Sequence, residues 1–120
     1  MILADTSIWI DHLRSGDAGL ADRLQAGEIL GHPHVIGEIA LGNLARREEI
    51  IGALRRLPPA VVASDSEALH FIDRNALFGL GIGYIDAHLL ASVRLTSGAW
   101  LWTRDKRLAA VADQMGLSER

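Results

Sequence analysis

The chain is predicted to fold as an α/β sandwich with a mostly parallel sheet, on three observations. Short apolar runs alternate with stretches whose apolar residues recur at helical spacing. Parallel strands require helical crossovers, and the intervening helices supply them. Two of the apolar runs, Met1–Ala4 and Trp100–Thr103, give way to aspartates, Asp5 and Asp105, and in such sheets ligands gather at the carboxyl ends of strands. At 120 residues and 13.0 kDa the expected organisation is a single domain, 1–120, without internal repeat or low-complexity segment.

Met1–Ala4 reads as a strand, Asp5-Thr6-Ser7 as a short turn, and Ile8, Trp9 and Leu13 as the apolar stripe of a helix. Asp17–Ala26 is a second helix with Leu20 and Leu24 on one face and a stop at Gly27. Glu28–Gly31 is a short strand or extended link. From Val35, the positions Val35, Ile36, Ile39, Ala40 and Leu44 keep a helical period, with Glu38 inside that segment. A helix from about Arg46 carries Ile50, Ile51, Leu54 and Leu57, and Pro58-Pro59 ends it. Ala60–Ala63 is a candidate buried strand. Ser64-Asp65-Ser66-Glu67 has capping-box spacing and opens a helix carrying Leu69, Ile72 and Leu77.

Gly79-Leu80-Gly81-Ile82-Gly83 looks like a nucleotide loop, but Tyr84 stands where the dinucleotide fingerprint needs glycine or alanine, and a helix precedes it instead of a strand. It reads as a flexible connector. Ile85–Leu95 is the most apolar helix, with Asp86 in its first turn; Trp100–Thr103 is a buried strand, and Asp105 opens a last helix with Leu108, Val111, Ala112 and Met115.

The absence of cysteine excludes disulfides, thiolate catalysis and cysteine-based metal sites. The first residues lack a basic stretch and the apolar run is cut at Asp5, which argues against a secretory signal. The longest apolar stretch is interrupted by Asp86 and His88, so no membrane span is expected and the reading is cytoplasmic and soluble. An apolar fraction of 49% with a mean hydropathy of +0.18 is high for so small a chain and points to a homodimer or a standing partner. A formal charge of −3 argues against a broad positive field for nucleic acid. Two divalent ions would move that balance to +1 from −3. Eleven of the twelve basic residues are arginine, the side chain suited to bidentate phosphate contacts. Arg14, Arg46, Arg104 and Arg107 are the foremost candidates to meet RNA, although solvated helix faces are the commoner use.

Four acids stand out because each lies in or beside a strongly apolar stretch: Asp5, Glu38, Asp86 and Asp105. Singly, each has an ordinary explanation as a helix cap, a helix-dipole partner or an ion-pair partner. Jointly they form a charge problem. Two carboxylates ~4 Å apart at an effective dielectric of about 20 repel by about 4 kcal/mol. Magnesium or manganese relieves that repulsion, favours carboxylate oxygens and can promote phosphodiester hydrolysis.

Asp5-Thr6-Ser7, Gly37-Glu38-Ile39-Ala40-Leu41-Gly42, Asp86-Ala87-His88-Leu89-Leu90-Ala91 and Thr103-Arg104-Asp105-Lys106-Arg107-Leu108 together resemble a PIN domain, and more narrowly a VapC-type toxin of a bacterial toxin–antitoxin pair. The resemblance spans nearly the whole chain. It implies a three-layer sandwich with a central sheet of four to five mostly parallel strands flanked by helices. It also implies Mg²⁺- or Mn²⁺-dependent cleavage of RNA, tRNA or ribosomal RNA above all, and neutralisation by a VapB-type antitoxin. By that resemblance Asp5, Asp86 and Asp105 would be metal ligands, and Glu38 a ligand or a base acting through a water at the metal. Thr6 and Thr103 would orient the carboxylates. One departure is visible: the family's fifth strand would have to form from Gly116–Arg120, so it is expected to be very short or absent.

The competing classes are a receiver-like signalling domain and a non-catalytic protein-binding domain. A receiver would need an acidic pair after its first strand and an acceptor aspartate near mid-chain, where Arg55 and Arg56 stand. His32 and His34 are expected in a surface or loop role, His88 in core or partner packing, and Trp9, Trp100 and Trp102 in the core or a dimer interface.

Overall fold

The computed structural model describes residues 1–119. In chain order the elements are β1 (Ile2–Ala4), α1 (Thr6–Ser15), α2 (Ala18–Gln25), β2 (Ile29–Leu30), α3 (Pro33–Ala40), α4 (Arg47–Arg55), α5 (Asp65–Arg74), α6 (Tyr84–Leu95), β3 (Trp100–Trp102) and α7 (Lys106–Gln114). The strands pair in the order β2-β1-β3, all parallel, with Ile2 opposite Ile29 and Trp100, and Ala4 opposite Trp102. The ends of β1 and β3 are therefore level, and the residues that follow them emerge side by side.

The expected four to five strands reduce to three among the described residues. At both edges a strand is replaced by one bridge, Gly31 to Pro59 and Leu101 to Ser118. On the first edge, Pro58 and Pro59 have no N–H to give a ladder. Beyond them the candidate strand Ala60–Ala63 does not form, because Val61 N–H donates to Thr96 Oγ1 (2.9 Å) and Ala63 N–H to Ser92 Oγ (3.2 Å). Ala60 N–H still reaches Gly31 O (2.9 Å), but the donors of Val61 and Ala63 go to hydroxyls at and just after the end of α6 in place of a neighbouring strand. On the other edge, Leu101 N–H donates to Leu117 O (2.7 Å), so the short final strand shrinks to a single contact.

Leu3, Ile8, Leu20, Ile29, Leu89, Leu90 and Leu108 are fully buried at the centre of the core. α6 is buried through seven consecutive residues, Ala87 to Val93. A helix apolar on every face belongs inside, and α6 packs between α5 and β3. The caps follow the local sequence: Asp17 caps α2, Ser64 and Glu67 close a reciprocal capping box on α5, and Gly27 follows α2 with a φ of 71°.

His32 departs from its expected surface role. It is 1% exposed and caps α3, its Nδ1 accepting from His34 N–H (3.1 Å) while its Nε2 meets Ser92 Oγ (2.9 Å). Burial, followed by the neighbouring His34 and His88, lowers its pKa to about 4. The ring stays neutral at physiological pH, as an accepting Nδ1 requires. His88 is buried as expected, its Nε2 3.1 Å from Asp65 Oδ1 and its ring edge-on to those of His34 and Tyr84. Trp9 is in the core, Trp102 is half-buried, and Trp100 lies at the surface.

Leu90→Ala, at the centre of α6, is expected to lower stability by about 2–5 kcal/mol in urea denaturation. A loss well below ~1 kcal/mol would mean that α6 is not the core helix described above.

Candidate active site

Asp5 lies immediately after β1 and caps α1, with Oδ1 accepting from Ile8 N–H at 3.3 Å. Asp105 follows β3 and caps α7, its Oδ1 accepting from Arg107 and Leu108 N–H, both at 3.0 Å. Asp86 is the third residue of α6, where its Oδ2 accepts from Gly83 N–H at 3.1 Å. Glu38 stands on α3, which packs on α1. Parallel pairing of β1 and β3 sets the first and last of these acids together, and the N-terminal ends of α1, α6 and α7 bring partial positive charge to them.

Hydroxyls tie the group into one network. Thr6 Oγ1 donates to Glu38 Oε1 at 2.6 Å. Thr103 Oγ1 donates to Asp5 Oδ2 and accepts from Asp105 N–H at 3.0 Å. Ser7 Oγ donates to Asp5 Oδ1 and accepts from Arg104 N–H at 3.1 Å. Asp5, 5% exposed, thus has both oxygens engaged.

The electrostatics show the same grouping. Burial pushes the Asp86 carboxyl above the usual carboxylate range, and the charges of Asp105, Asp5 and Glu38 push the same way, against the Gly83 hydrogen bond. No base is among the charges acting on it. Four acids from distant parts of the chain therefore share one field.

The ordinary reading of three of these acids is also correct, since Asp5, Asp86 and Asp105 each accept from a helix-start N–H. Capping does not exhaust them. Among the described residues no hydrogen bond engages Asp86 Oδ1, Asp105 Oδ2 or Glu38 Oε2. Hard oxygen donors with an unrelieved negative field fit a divalent cation in chemical kind. Among the described residues, no three histidine, aspartate or glutamate side chains converge closely enough to hold an ion as they stand.

Of the four arginines singled out for RNA, two are engaged by acids. Arg46 makes bonds of 2.9 and 2.6 Å to Glu49, and Arg104 is held by Asp11 (2.6 Å) and Asp17. Arg14 is exposed on α1 and shares a groove of about 540 Å³ with Glu38, Leu13 and Leu44. Arg107 lies across the Gly79–Gly83 connector: a Cβ on Gly81, whose φ is +79°, would fall 2.7 Å from its Nη1. Glycine is favoured there by the positive φ, since the arginine side chain could shift aside.

Residues 2–114 match the family model of the PIN domain. The chain belongs to the PIN domain family. It is also similar to Ribonuclease VapC32 of Mycobacterium tuberculosis, in strains CDC 1551 / Oshkosh and ATCC 25618 / H37Rv, at 46% identity over 118 residues, covering 98% of this chain and 95% of the relative. The VapC-type resemblance and the α/β class expected from the sequence both stand.

Ser7 is the member of this candidate site that was not singled out from the sequence. Its signal was local: a hydroxyl two residues after a strand-end aspartate is placed to form a turn with that carboxylate. Asp11 and Asp17, which fix Arg104, carried no such signal.

In metal-free buffer, the raised Asp86 pKa means that the folded state binds more protons than the unfolded state between the ordinary value of 3.8 and the raised one. Its contribution to stability is therefore expected to fall as pH rises through that window, and Asp86→Asn, which keeps an acceptor for Gly83, should flatten the fall. Urea midpoints measured from pH 3.5 to 7 in both proteins check this; a steeper fall in Asp86→Asn would contradict it.

Proposed function

We propose that this PIN domain is a Mg²⁺- or Mn²⁺-dependent ribonuclease that acts as the toxin of a type II toxin–antitoxin pair and is neutralised by a VapB-type antitoxin. The observation that carries the reading is the geometry: parallel pairing of β1 and β3 sets Asp5 and Asp105 at neighbouring strand ends, and Asp86, raised first by burial, also feels the charges of Asp105, Asp5 and Glu38. The likeness to a protein named Ribonuclease VapC32 supports the reaction class.

In this reading Asp5, Asp86 and Asp105 would hold the cation, and Glu38 would be a further ligand or a base. The cation, when bound, offsets the phosphate's negative charge and favours ionisation of the attacking water. The chain's own residues do the rest. Thr103 and Ser7 fix the two oxygens of Asp5, and Thr103 also fixes the backbone at Asp105. Thr6 orients Glu38 through Oε1, leaving Oε2 to take a proton from the attacking water. Arg14 and Arg107, free of acidic partners among the described residues, are the candidates to meet backbone phosphates.

The substrate in this reading is tRNA or ribosomal RNA, and the setting is cytoplasmic. No helix among the described residues is long and apolar enough to cross a membrane. Exposed Leu41, Phe78 and Leu69, at 89%, 67% and 57%, suit an antitoxin or the second copy of a homodimer. The rival reading, a binding domain whose acids only cap helices, draws on the same N–H bonds at Asp5, Asp86 and Asp105. In it Glu38, which caps nothing, serves only to tie α3 to α1 through Thr6.

Purified total RNA incubated with the protein and Mg²⁺ or Mn²⁺ is expected to yield discrete fragments, absent with EDTA and with Asp5→Asn. Thr103→Val should lower the rate by about 10- to 100-fold. Fragments that persist in EDTA would overturn the metal-dependent reading.

A further inference from the structure

Like Arg107, whose N–H donates to Asp105 Oδ1, Arg104 is a basic residue whose backbone belongs to the acidic site. It sits between Thr103 and Asp105, and its N–H donates to Ser7 Oγ at 3.1 Å, the hydroxyl that donates onward to Asp5. A guanidinium there would be expected to fold onto the neighbouring carboxylates, since bidentate arginine–carboxylate pairs are among the strongest polar contacts a protein makes. It does not. The side chain runs the other way, along α1, where Nη1 meets Asp11 at 2.6 Å and Nη2 meets Asp17.

The outward path is built from three elements. Ser7 and Asp11 are four residues apart on α1 and so share a face, one taking the backbone and the other the side chain of Arg104. Asp17 is immobilised by its second role, since its Oδ1 caps α2 through Leu20 N–H at 2.9 Å. The guanidinium also lies 5.9 Å from the centre of the Trp102 ring. Pairing with Arg104 holds Asp17 below the usual carboxylate range, while Asp17 and Asp11 raise Arg104. At Asp86, by contrast, the acting charges are three acids and no arginine.

We propose that Asp11 and Asp17 are positioning residues that hold the Arg104 guanidinium away from Asp5, Glu38, Asp86 and Asp105, so that no internal cation takes the place of the divalent ion. The proposal rests on the metal-dependent reading above. Arginine stays charged at every accessible pH, so only its position determines whether it competes. Two carboxylates facing one guanidinium also leave the pair net negative, which adds to the field that draws a cation in.

The test is Mn²⁺ binding to the metal-stripped full chain by calorimetry, comparing the intact protein with Asp11→Asn/Asp17→Asn, with Arg104→Gln, and with all three changes together. Asparagine preserves the α2 cap, and metal-free melting reports whether each variant folds. The aspartate pair of changes is expected to weaken Mn²⁺ binding by about tenfold. Arg104→Gln alone should bind at least as tightly as the intact chain, and the triple variant should return to within about twofold of it. If Asp17→Asn hinders folding, Asp11→Asn, which caps nothing, carries the same comparison. Equal weakening in all three variants would make the clamp merely structural and overturn the proposal, as would unchanged binding in Asp11→Asn/Asp17→Asn. An intact chain that binds no Mn²⁺ would instead remove the metal-dependent reading, and the proposal with it.

Discussion

Repulsion among four carboxylates is the constraint around which this end of the molecule is arranged. Parallel pairing of β1 with β3 makes Asp5 and Asp105 neighbours, α6 adds Asp86 and α3 adds Glu38. The fold opposes that repulsion with dipoles and hydroxyls in place of a full positive charge. The starts of α1, α6 and α7 supply N–H groups, and Thr6, Ser7 and Thr103 supply O–H groups. Each is a fixed partial charge, strong enough to set geometry and too weak to neutralise the group. Burial is the first cause of the raised Asp86 pKa, and the unneutralised charges of Asp105, Asp5 and Glu38 raise it further.

A second polar frame, away from the acids, keeps their supporting helices in register. His32 caps α3 and reaches Ser92 of α6, and Ser92 also takes the N–H of Ala63. α3 carries Glu38 and α6 carries Asp86, so one buried neutral imidazole joins the two helices that deliver the later acids. Polar bonds inside a core are directional where apolar contacts are not, which suits a junction whose angle matters. His88 completes the frame toward α5 through Asp65, while its Nδ1 is buried without a hydrogen-bond partner among the described residues.

Much of this was legible in the chain because it is local. Apolar runs ending in Asp5 and Asp105 located two strand ends, Ser64 with Glu67 announced α5, and the apolar stretch around Asp86 marked the central helix. The sheet's edges were not legible. An apolar segment such as Ala60–Ala63 reads as a strand from composition, yet its fate turns on hydroxyls of Ser92 and Thr96 about thirty residues away. The same applies to His32, whose partner Ser92 is 60 positions along the chain, and to Arg104, whose acids lie 93 and 87 positions back. Chain pattern reports what a residue prefers; long-range pairing decides which partner it meets.

If the acidic end is a cation site held short of neutrality, as proposed, the melting temperature of the metal-stripped protein with and without Mn²⁺ reports it. A site on the folded state filled at about 100 times its dissociation constant adds ~2.7 kcal/mol. The expected result is a clear rise in melting temperature for the intact chain that is lost in Asp86→Asn. A melt unchanged by Mn²⁺ at millimolar concentration would contradict the account.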